Sequence, residues 1–227
     1  MKKRSIIVLI LLCCIASLAA QPRLMEREYY LGVHGGATAS TMLFKPKVTN
    51  MTPITNAVVL GGNGGLVFRY AGHKYCGLQV ELNYMQRGWR EKGKENDVDY
   101  SRRLHYVEIP FMSHIYFGDK VRGYLNIGPE IGFCVAESAA GTPNDNLKEP
   151  YQYGKVDKPF DWGFIGALGI CFRTPHAGLY QLEARFDYSL GDVFNTRATD
   201  YFSAANPIDL SINLAWMWEF KNNKKHK

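Results

Sequence analysis

A strict alternation of apolar and polar side chains recurs along most of the chain, and this period of two constrains the fold more than any other feature. Successive side chains of a β-strand point to opposite faces, so each such segment predicts a strand with one apolar and one polar face. One segment alone is a weak signal, but eight in succession predict an all-β fold. The segments lie at residues 29–38, 58–70, 78–84, 106–117, 124–133, 161–173, 180–190 and 208–220.

The links between these segments fall into two classes that alternate along the chain. The links after the second, fourth and sixth segments are tight and occupy residues 71–74, 118–121 and 174–178. The other links are long and polar and occupy roughly residues 39–56, 87–103, 136–160 and 191–206. Short turns on one rim and long loops on the other are typical of membrane barrels. We therefore predict an eight-stranded antiparallel up-and-down transmembrane β-barrel, with periplasmic termini and extracellular long loops.

Alternation does not say which face is outside, because a soluble lipocalin-like barrel has the same period. Aromatic residues favour a membrane, since they lie near both ends of the apolar face, where two lipid–water interfaces would select them. The polar face is rich in glycine, which suits a narrow lumen. The predicted aromatic girdle consists of Phe68, Tyr70, Phe117, Phe172, Tyr180, Trp218 and Phe220 near the short turns, and of Tyr84, Phe133, Trp162 and Tyr188 near the long loops.

The first twenty residues have the layout of a secretory signal peptide. Lys2, Lys3 and Arg4 precede an apolar run at residues 6–15, which is too short to cross a bilayer as a helix. Small residues follow, and cleavage after Ala19 or after Ala20 fits them. The predicted organisation is a signal peptide at residues 1–20, one outer-membrane barrel domain at residues 21–220 and a basic tail at residues 221–227.

Charge and cysteine content narrow the possible partners. After signal cleavage 24 basic residues face 21 acidic ones, and a net charge of +3 is too weak to indicate nucleic-acid binding. Cys76, Cys134 and Cys171 remain, and their odd number argues against a full disulfide framework. At most one pair could form, with Cys134 and Cys171 as the candidates because their segments would be neighbours. Three free thiols are the favoured alternative.

Charged residues on the polar face form the candidate functional site. Buried charges need partners, so we expect a hydrogen-bonded network inside the lumen with Arg185 as its main cation. Eight strands leave no wide channel. A structural plug is the favoured interpretation, and a gated proton or ion path or a ligand site is the alternative. The predicted lumen network consists of Glu81, Glu108, Glu130, Glu183, Arg185 and Asp187.

No residue spacing in the chain indicates catalysis. The enzyme candidates are His34 in the lumen and His105 with Asp97 and Asp99 in the second long loop, but no nucleophile, base and orienting acid stand at a telling spacing. Zinc spacings and phosphate-binding glycine loops are also missing from the sequence. The glycine run at residues 61–65 falls within a strand and is expected to let the sheet bend. We expect a non-enzymatic protein with no metal or cofactor.

Four stretches resemble the PorT-like family of outer-membrane β-barrel proteins, and together they span nearly the whole mature chain. Their more specific elements are Tyr106-x-x-Ile109-Pro110 and Gly128-Pro129-x-x-Gly132. The resemblance implies a small outer-membrane barrel. The founding member of the family is associated with type IX protein secretion, which implies an accessory role in an envelope or secretion complex. The four stretches are residues 77–88, 104–111, 123–132 and 182–191.

Other functions remain open at this point. The long loops could serve surface binding or adhesion, and membrane barrels also include lipid-modifying enzymes and proteases. The basic tail departs from barrels that end on their terminal aromatic residue, so Trp216-x-Trp218-x-Phe220 is the expected internal assembly signal. The predicted partners are outer-membrane lipid and other envelope or secretion proteins.

Overall fold

The computed structural model describes residues 27–46, 56–92, 99–118, 121–141, 154–174, 177–194 and 202–221. The predicted signal peptide and nearly all of the basic tail lie outside these residues. The strands of the described part are β1 (Glu28–Pro46), β2 (Asn56–Ala57), β3 (Val59–Ala71), β4 (Cys76–Lys92), β5 (Asp99–Gly118), β6 (Val121–Ala140), β7 (Phe160–Thr174), β8 (Gly178–Ser189) and β9 (Phe202–Lys221). No helix among the described residues is long and apolar enough to cross a membrane.

The strands form one closed antiparallel ring in chain order. β1 pairs with β3 on one side and with β9 on the other, and this second ladder runs from Glu28 opposite Lys221 to Pro46 opposite Phe202. β2 and β3 both pair with β4 and are separated only by Val58, so together they form one wall of the barrel. The ring therefore has eight walls, and the prediction of an eight-stranded up-and-down barrel is confirmed.

The two faces of the ring differ in polarity as the alternation predicts. On β8, Leu182 and Phe186 are 43% and 47% exposed on the outside, whereas Glu183 and Asp187 are each 1% exposed inside. The other walls also carry apolar side chains outside, and their lumen-facing positions hold the buried polar side chains together with apolar ones such as Ile165 and Met217. A water-soluble barrel has the reverse arrangement, with its apolar side chains inside. The soluble alternative is therefore wrong.

The two rims of the ring also differ. At one rim, which we call the short-turn rim, the strands are joined by residues 72–75, 119–120 and 175–177, and both ends of the barrel chain lie there. Gly118 and Gly178 have φ angles of +107° and +86° at this rim, a left-handed conformation that glycine adopts without strain. At the opposite rim, the long-link rim, the strands are joined by residues 47–55, 93–98, 141–159 and 190–201.

The strands reach further toward the long-link rim than the sequence predicts. The predicted loops at residues 39–56, 87–103, 136–160 and 191–206 are each too long, because β1, β4, β5, β6 and β9 extend into them. Several inward positions in these extensions are apolar, among them Met42, Trp89 and Tyr100. The hydrophobic alternation therefore fades although the backbone pairing continues.

All three described cysteines are free. Cys134 lies opposite Tyr106 near the long-link rim, whereas Cys171 lies opposite Arg122 near the short-turn rim. A Cys134–Cys171 disulfide is therefore wrong as an alternative. The two cysteines are on neighbouring strands but at opposite ends of the barrel.

Candidate functional site

Arg87 on β4 lies at the centre of four buried carboxylates in the half of the lumen nearer the long-link rim. Each carboxylate comes from a different strand, so one guanidinium group links β4 to β5, β6, β7 and β9. A charge-assisted contact of this kind is strong when it is shielded from water. The guanidinium nitrogen atoms lie 3.1 Å from Glu108, 3.0 Å from Glu130, 3.1 Å from Asp161 and 2.8 Å from Asp209.

The sequence does not predict a lumen role for Arg87, because residue 87 falls in the predicted second long loop. One signal could have found it: the inward positions of β4 are odd-numbered from Gln79 onward, and Arg87 continues that parity. The prediction of Arg185 as the main cation is incomplete for the same reason, since Arg87 contacts more carboxylates than Arg185 does.

Arg185 on β8 forms a second ionic cluster closer to the short-turn rim. Its nitrogen atoms lie 2.9 Å from Glu81 and 2.7 Å from Glu183. His34 approaches the same cluster, with Nε2 2.7 Å from Asn83 Oδ1 and 3.7 Å from a Glu81 carboxylate oxygen. Three of the predicted lumen residues, Glu81, Glu183 and Arg185, are thus brought together.

Amide side chains complete the hydrogen bonding of this second cluster. Gln79 and Asn83 donate to Glu81 at 2.5 Å and 2.8 Å. Gln181 and Asn126 both donate to Glu183 at 3.0 Å. Buried carboxylates that accept several hydrogen bonds are held in one orientation. These hydrogen bonds therefore fix the orientation of the Glu81 and Glu183 carboxylates.

Asp187 differs from the other predicted lumen residues. It is 1% exposed, lies directly opposite Asp209 in the β8–β9 ladder and makes no ion pair or hydrogen bond with any described residue. Its charge interacts with both Arg87 and Arg185, so it lies between the two clusters. Two carboxylates directly opposite each other on neighbouring strands repel.

Acids outnumber bases in the described lumen. Eight buried carboxylates face four buried arginines, Arg69, Arg87, Arg102 and Arg185. Among the described residues, no group of three or more histidine, cysteine or acidic side chains is arranged to hold a metal ion. The eight carboxylates belong to Glu81, Glu91, Glu108, Glu130, Asp161, Glu183, Asp187 and Asp209.

An apolar cluster closes the lumen at the long-link rim, and sequence reasoning did not predict it. Trp89 and Phe194 are completely buried at its centre and meet edge to face, with their ring centroids 6.1 Å apart. Phe194 follows β8, so the segment after that strand folds into the barrel mouth. We call this set of buried residues the rim plug, and it consists of Met42, Trp89, Tyr100, Leu104, Tyr106, Val193, Phe194 and Ala205.

Ion pairs close the lumen at the short-turn rim. Glu28 on β1 lies 3.0 Å from Arg122 and 2.9 Å from Arg173, and Arg173 lies 2.7 Å from Glu219. These residues come from β1, β6, β7 and β9 and meet across the barrel interior. The described side chains thus close both ends of the lumen.

All eleven residues of the predicted aromatic girdle lie on the outer face. Phe68, Tyr84, Phe117, Phe133, Trp162, Phe172, Tyr180, Trp218 and Phe220 are between 43% and 64% exposed. Tyr70 and Tyr188 are half-buried, and the Tyr70 ring packs 5.2 Å from that of Tyr29.

The enzyme candidates are not brought together. His34 lies in the lumen, whereas His105 lies on the outer face, where its Nδ1 is 2.5 Å from the Tyr84 hydroxyl. Asp97 and the side chain of Asp99 lie outside the described residues. His34 and His105 therefore lie on opposite faces of the barrel wall.

A closed antiparallel ring with an apolar outer face and a charged lumen defines an integral β-barrel of the outer-membrane class. Residues 19–195 match the family model described as outer membrane protein beta-barrel domain, and the chain belongs to this family. The predicted location in the outer membrane is confirmed by this family membership. No curated protein matches the chain.

Several solved structures are similar to the chain. Outer membrane protein OprG from Pseudomonas aeruginosa is 11% identical, with 85% of this chain and 96% of that chain covered and a TM-score of 0.48. Ail, the attachment invasion locus protein of Yersinia pestis, is 13% identical, with 86% and 100% covered and a TM-score of 0.43. Outer membrane protein W of E. coli is 16% identical, with 82% and 97% covered and a TM-score of 0.40. No function transfers from likenesses at this level.

Proposed function

We propose that this barrel is a non-enzymatic component of the outer membrane that acts through its outer wall and rims, as a structural or accessory subunit of an envelope or protein secretion complex. The observation that carries the proposal is the closed lumen. The rim plug blocks the long-link rim, the Glu28 ion pairs block the short-turn rim, and Arg87 and Arg185 tie the walls together between them.

A closed lumen limits what such a protein does. Substrate diffusion needs a continuous aqueous path, and eight strands leave room for little more than side chains. Buried polar networks whose groups are hydrogen-bonded make a protein interior rigid. The surfaces that remain for function are the lipid-facing wall and the two rims.

The PorT-like resemblance supplies the more specific part of the proposal. Residues 104–111 and 123–132, which carry its specific elements, form much of β5 and β6. We propose an accessory role in protein secretion on this basis. The proposed orientation has periplasmic termini and extracellular long links, since short turns face the periplasm in outer-membrane barrels.

Two measurements test the proposal together. Full-length protein in planar bilayers should give no single-channel conductance above the lipid background, and steady conductance would contradict the closed lumen. In the native bacterium, deletion of the gene should reduce the set of secreted or surface-assembled proteins. A complemented strain is the control, and an unchanged secreted and envelope protein profile would contradict the accessory role.

The non-enzymatic part of the proposal has its own test. Lipid A profiles and outer-membrane protease activity should be the same in deletion and complemented strains. A missing lipid modification or a lost cleavage product would reassign the protein to the membrane enzymes.

A further inference from the structure

A groove on the outer face of the barrel lies just beyond the aromatic girdle on the side of the long-link rim. It has a volume of about 690 Å³ and spans the upper parts of β3, β4, β5 and β6. Its position follows from the strand registers, which align outward-facing residues in rows across these walls. The girdle row contains Tyr84, Val107 and Phe133, which are successive cross-strand partners.

The groove occupies the second and third rows above that girdle row. Gly88, Arg103 and Ser138 are cross-strand partners in the second row, and Arg90 pairs with Ser101 in the third. Two residues of strand advance about 7 Å, and strand tilt reduces the rise to about 5 Å per row. Arg103 therefore lies roughly 10 Å beyond the girdle, at the depth of lipid headgroups.

Arg103 spans the groove between two walls of the barrel. Its side chain extends from β5 and donates from Nη2 to the carbonyl oxygen of Leu60 on β3 at 3.3 Å. The pairing between the two neighbouring walls is interrupted beside it: the β3–β4 ladder ends at Asn63 opposite Met85, and pairing with β4 resumes at Ala57 opposite Arg90. The groove therefore lies where the regular ladder is broken.

The groove is lined by positively charged side chains and is bordered by apolar ones. Arg90 and Arg103 are diagonal neighbours on adjacent strands, and Arg102, which also lines the groove, is paired with Glu137. Val58 and Leu60 are 55% and 74% exposed along its edge. Paired guanidinium groups bind phosphate oxygens in a fork geometry, while exposed aliphatic side chains contact acyl chains.

We propose that this groove binds the phosphorylated sugar headgroup of the outer-leaflet glycolipid, with Arg90 and Arg103 on its phosphate and Val58 and Leu60 against its first acyl carbons. Two like charges at headgroup depth complement an anionic lipid. The inference rests on the orientation given under the proposed function, which places the long-link rim in the outer leaflet.

The binding experiment uses the full chain in nanodiscs of neutral phosphatidylcholine, titrated with diphosphorylated lipid A and read by native mass spectrometry. Arg90→Gln and Arg103→Gln should each weaken binding roughly ten-fold, as expected for one charge-assisted hydrogen-bonding group, and the double variant should weaken it further. Arg103→Lys should retain part of the affinity. Lys158→Gln, which removes an exposed charge on the same side of the barrel, is the matched control and should bind like the wild type.

Three further ligands separate the sources of phosphate. Fully dephosphorylated lipid A should bind the wild type no better than lipid A binds the double variant. Inorganic phosphate should neither bind nor compete at millimolar concentration. Stronger binding of phosphatidylglycerol than of lipid A would overturn the proposal, as would equal affinities of the wild type and the double variant. Heat-modifiable gel mobility of every variant shows that a loss of binding is not a loss of fold.

A separate measurement distinguishes failure of the orientation from failure of the site. A cysteine placed at Lys158 should react with a membrane-impermeant maleimide on intact cells. If it does not react while lipid A still binds through Arg90 and Arg103 in nanodiscs, the orientation is wrong and the binding site stands. If it reacts and lipid A does not bind, the site is wrong.

Discussion

Replacing Arg87 by glutamine tests the central claim about the lumen, that one guanidinium group holds four walls of the barrel to β4. The substitution keeps a polar side chain of similar length but removes the charge. Glu108, Glu130, Asp161 and Asp209 then face one another at the same place, each of them buried. Repulsion among them and the loss of their common partner both act to separate β5, β6, β7 and β9.

The expected magnitude follows from the burial of every partner. Removing one member of a buried ion pair costs roughly 3–5 kcal/mol, because the remaining charge is left unpaired away from water. Domain stabilities are about 5–15 kcal/mol, so the loss would be a large fraction of the total. Arg103→Gln removes an exposed charge on the outer wall and should cost less than about 1 kcal/mol.

Urea unfolding in detergent micelles at pH 8 measures the difference, with tryptophan fluorescence and gel mobility as parallel probes. A triple variant that combines Arg87→Gln with Glu108→Gln and Asp209→Asn should recover part of the loss, since a neutral hydrogen-bonded set replaces unpaired charge. If Arg87→Gln unfolds at the same urea concentration as Arg103→Gln, the ionic cluster does not stabilise the barrel and the reasoning is refuted.

Three further changes test other parts of the structure. Leu214 is 66% exposed on the outer face, and Leu214→Arg should cost about 2–4 kcal/mol in lipid vesicles, because hydrocarbon contacts it; unchanged stability would contradict lipid contact. Trp89→Ala should cost roughly 3–5 kcal/mol in the same assay, since it empties the centre of the rim plug, whereas a small effect would mean that the plug is not packed. Cys76 should react with maleimide in the folded protein and Cys171 only after denaturation, and a mobility shift on adding reductant would contradict the free thiols.

The sequence predicts the walls of the barrel and their faces well, for a physical reason. Lipid on one side and a polar lumen on the other impose the same two-residue period on every strand. The inward positions of Glu81, Glu108, Glu130, Glu183, Arg185 and Asp187 follow from that period alone, and all six are buried in the structure.

The two-residue period does not specify the position of a residue along the barrel axis. Which inward residues meet depends on the stagger between strands, and no single segment encodes it. Arg87 meets Asp209, although 122 positions separate them in the chain, because the closed ring brings β4 and β9 to the same level. The same limitation explains why the sequence leaves a Cys134–Cys171 disulfide open. The sequence predicts that their strands are neighbours, but not that the two cysteines lie at opposite ends of the barrel.

The sequence does not predict the rim plug, for a different reason. Trp89 and Phe194 are apolar side chains on the lumen side, where the alternation predicts polar ones. Near the long-link rim the interior is closed by hydrophobic packing, so both faces of a strand are apolar and the period of two disappears. The sequence therefore predicts loops where these strands end.

The long ladder between β1 and β9 has a consequence for how the chain can be rearranged. Because Glu28 lies opposite Lys221, the two ends of the barrel are adjacent, and a short peptide could join them without disturbing any wall. A circular permutant opened within residues 93–98 should therefore form the same ring, since links between strands tolerate new termini. Removal of β9 would instead leave β1 as a bare edge inside the membrane, where unpaired backbone groups have no partner, so a truncated chain should fail to insert.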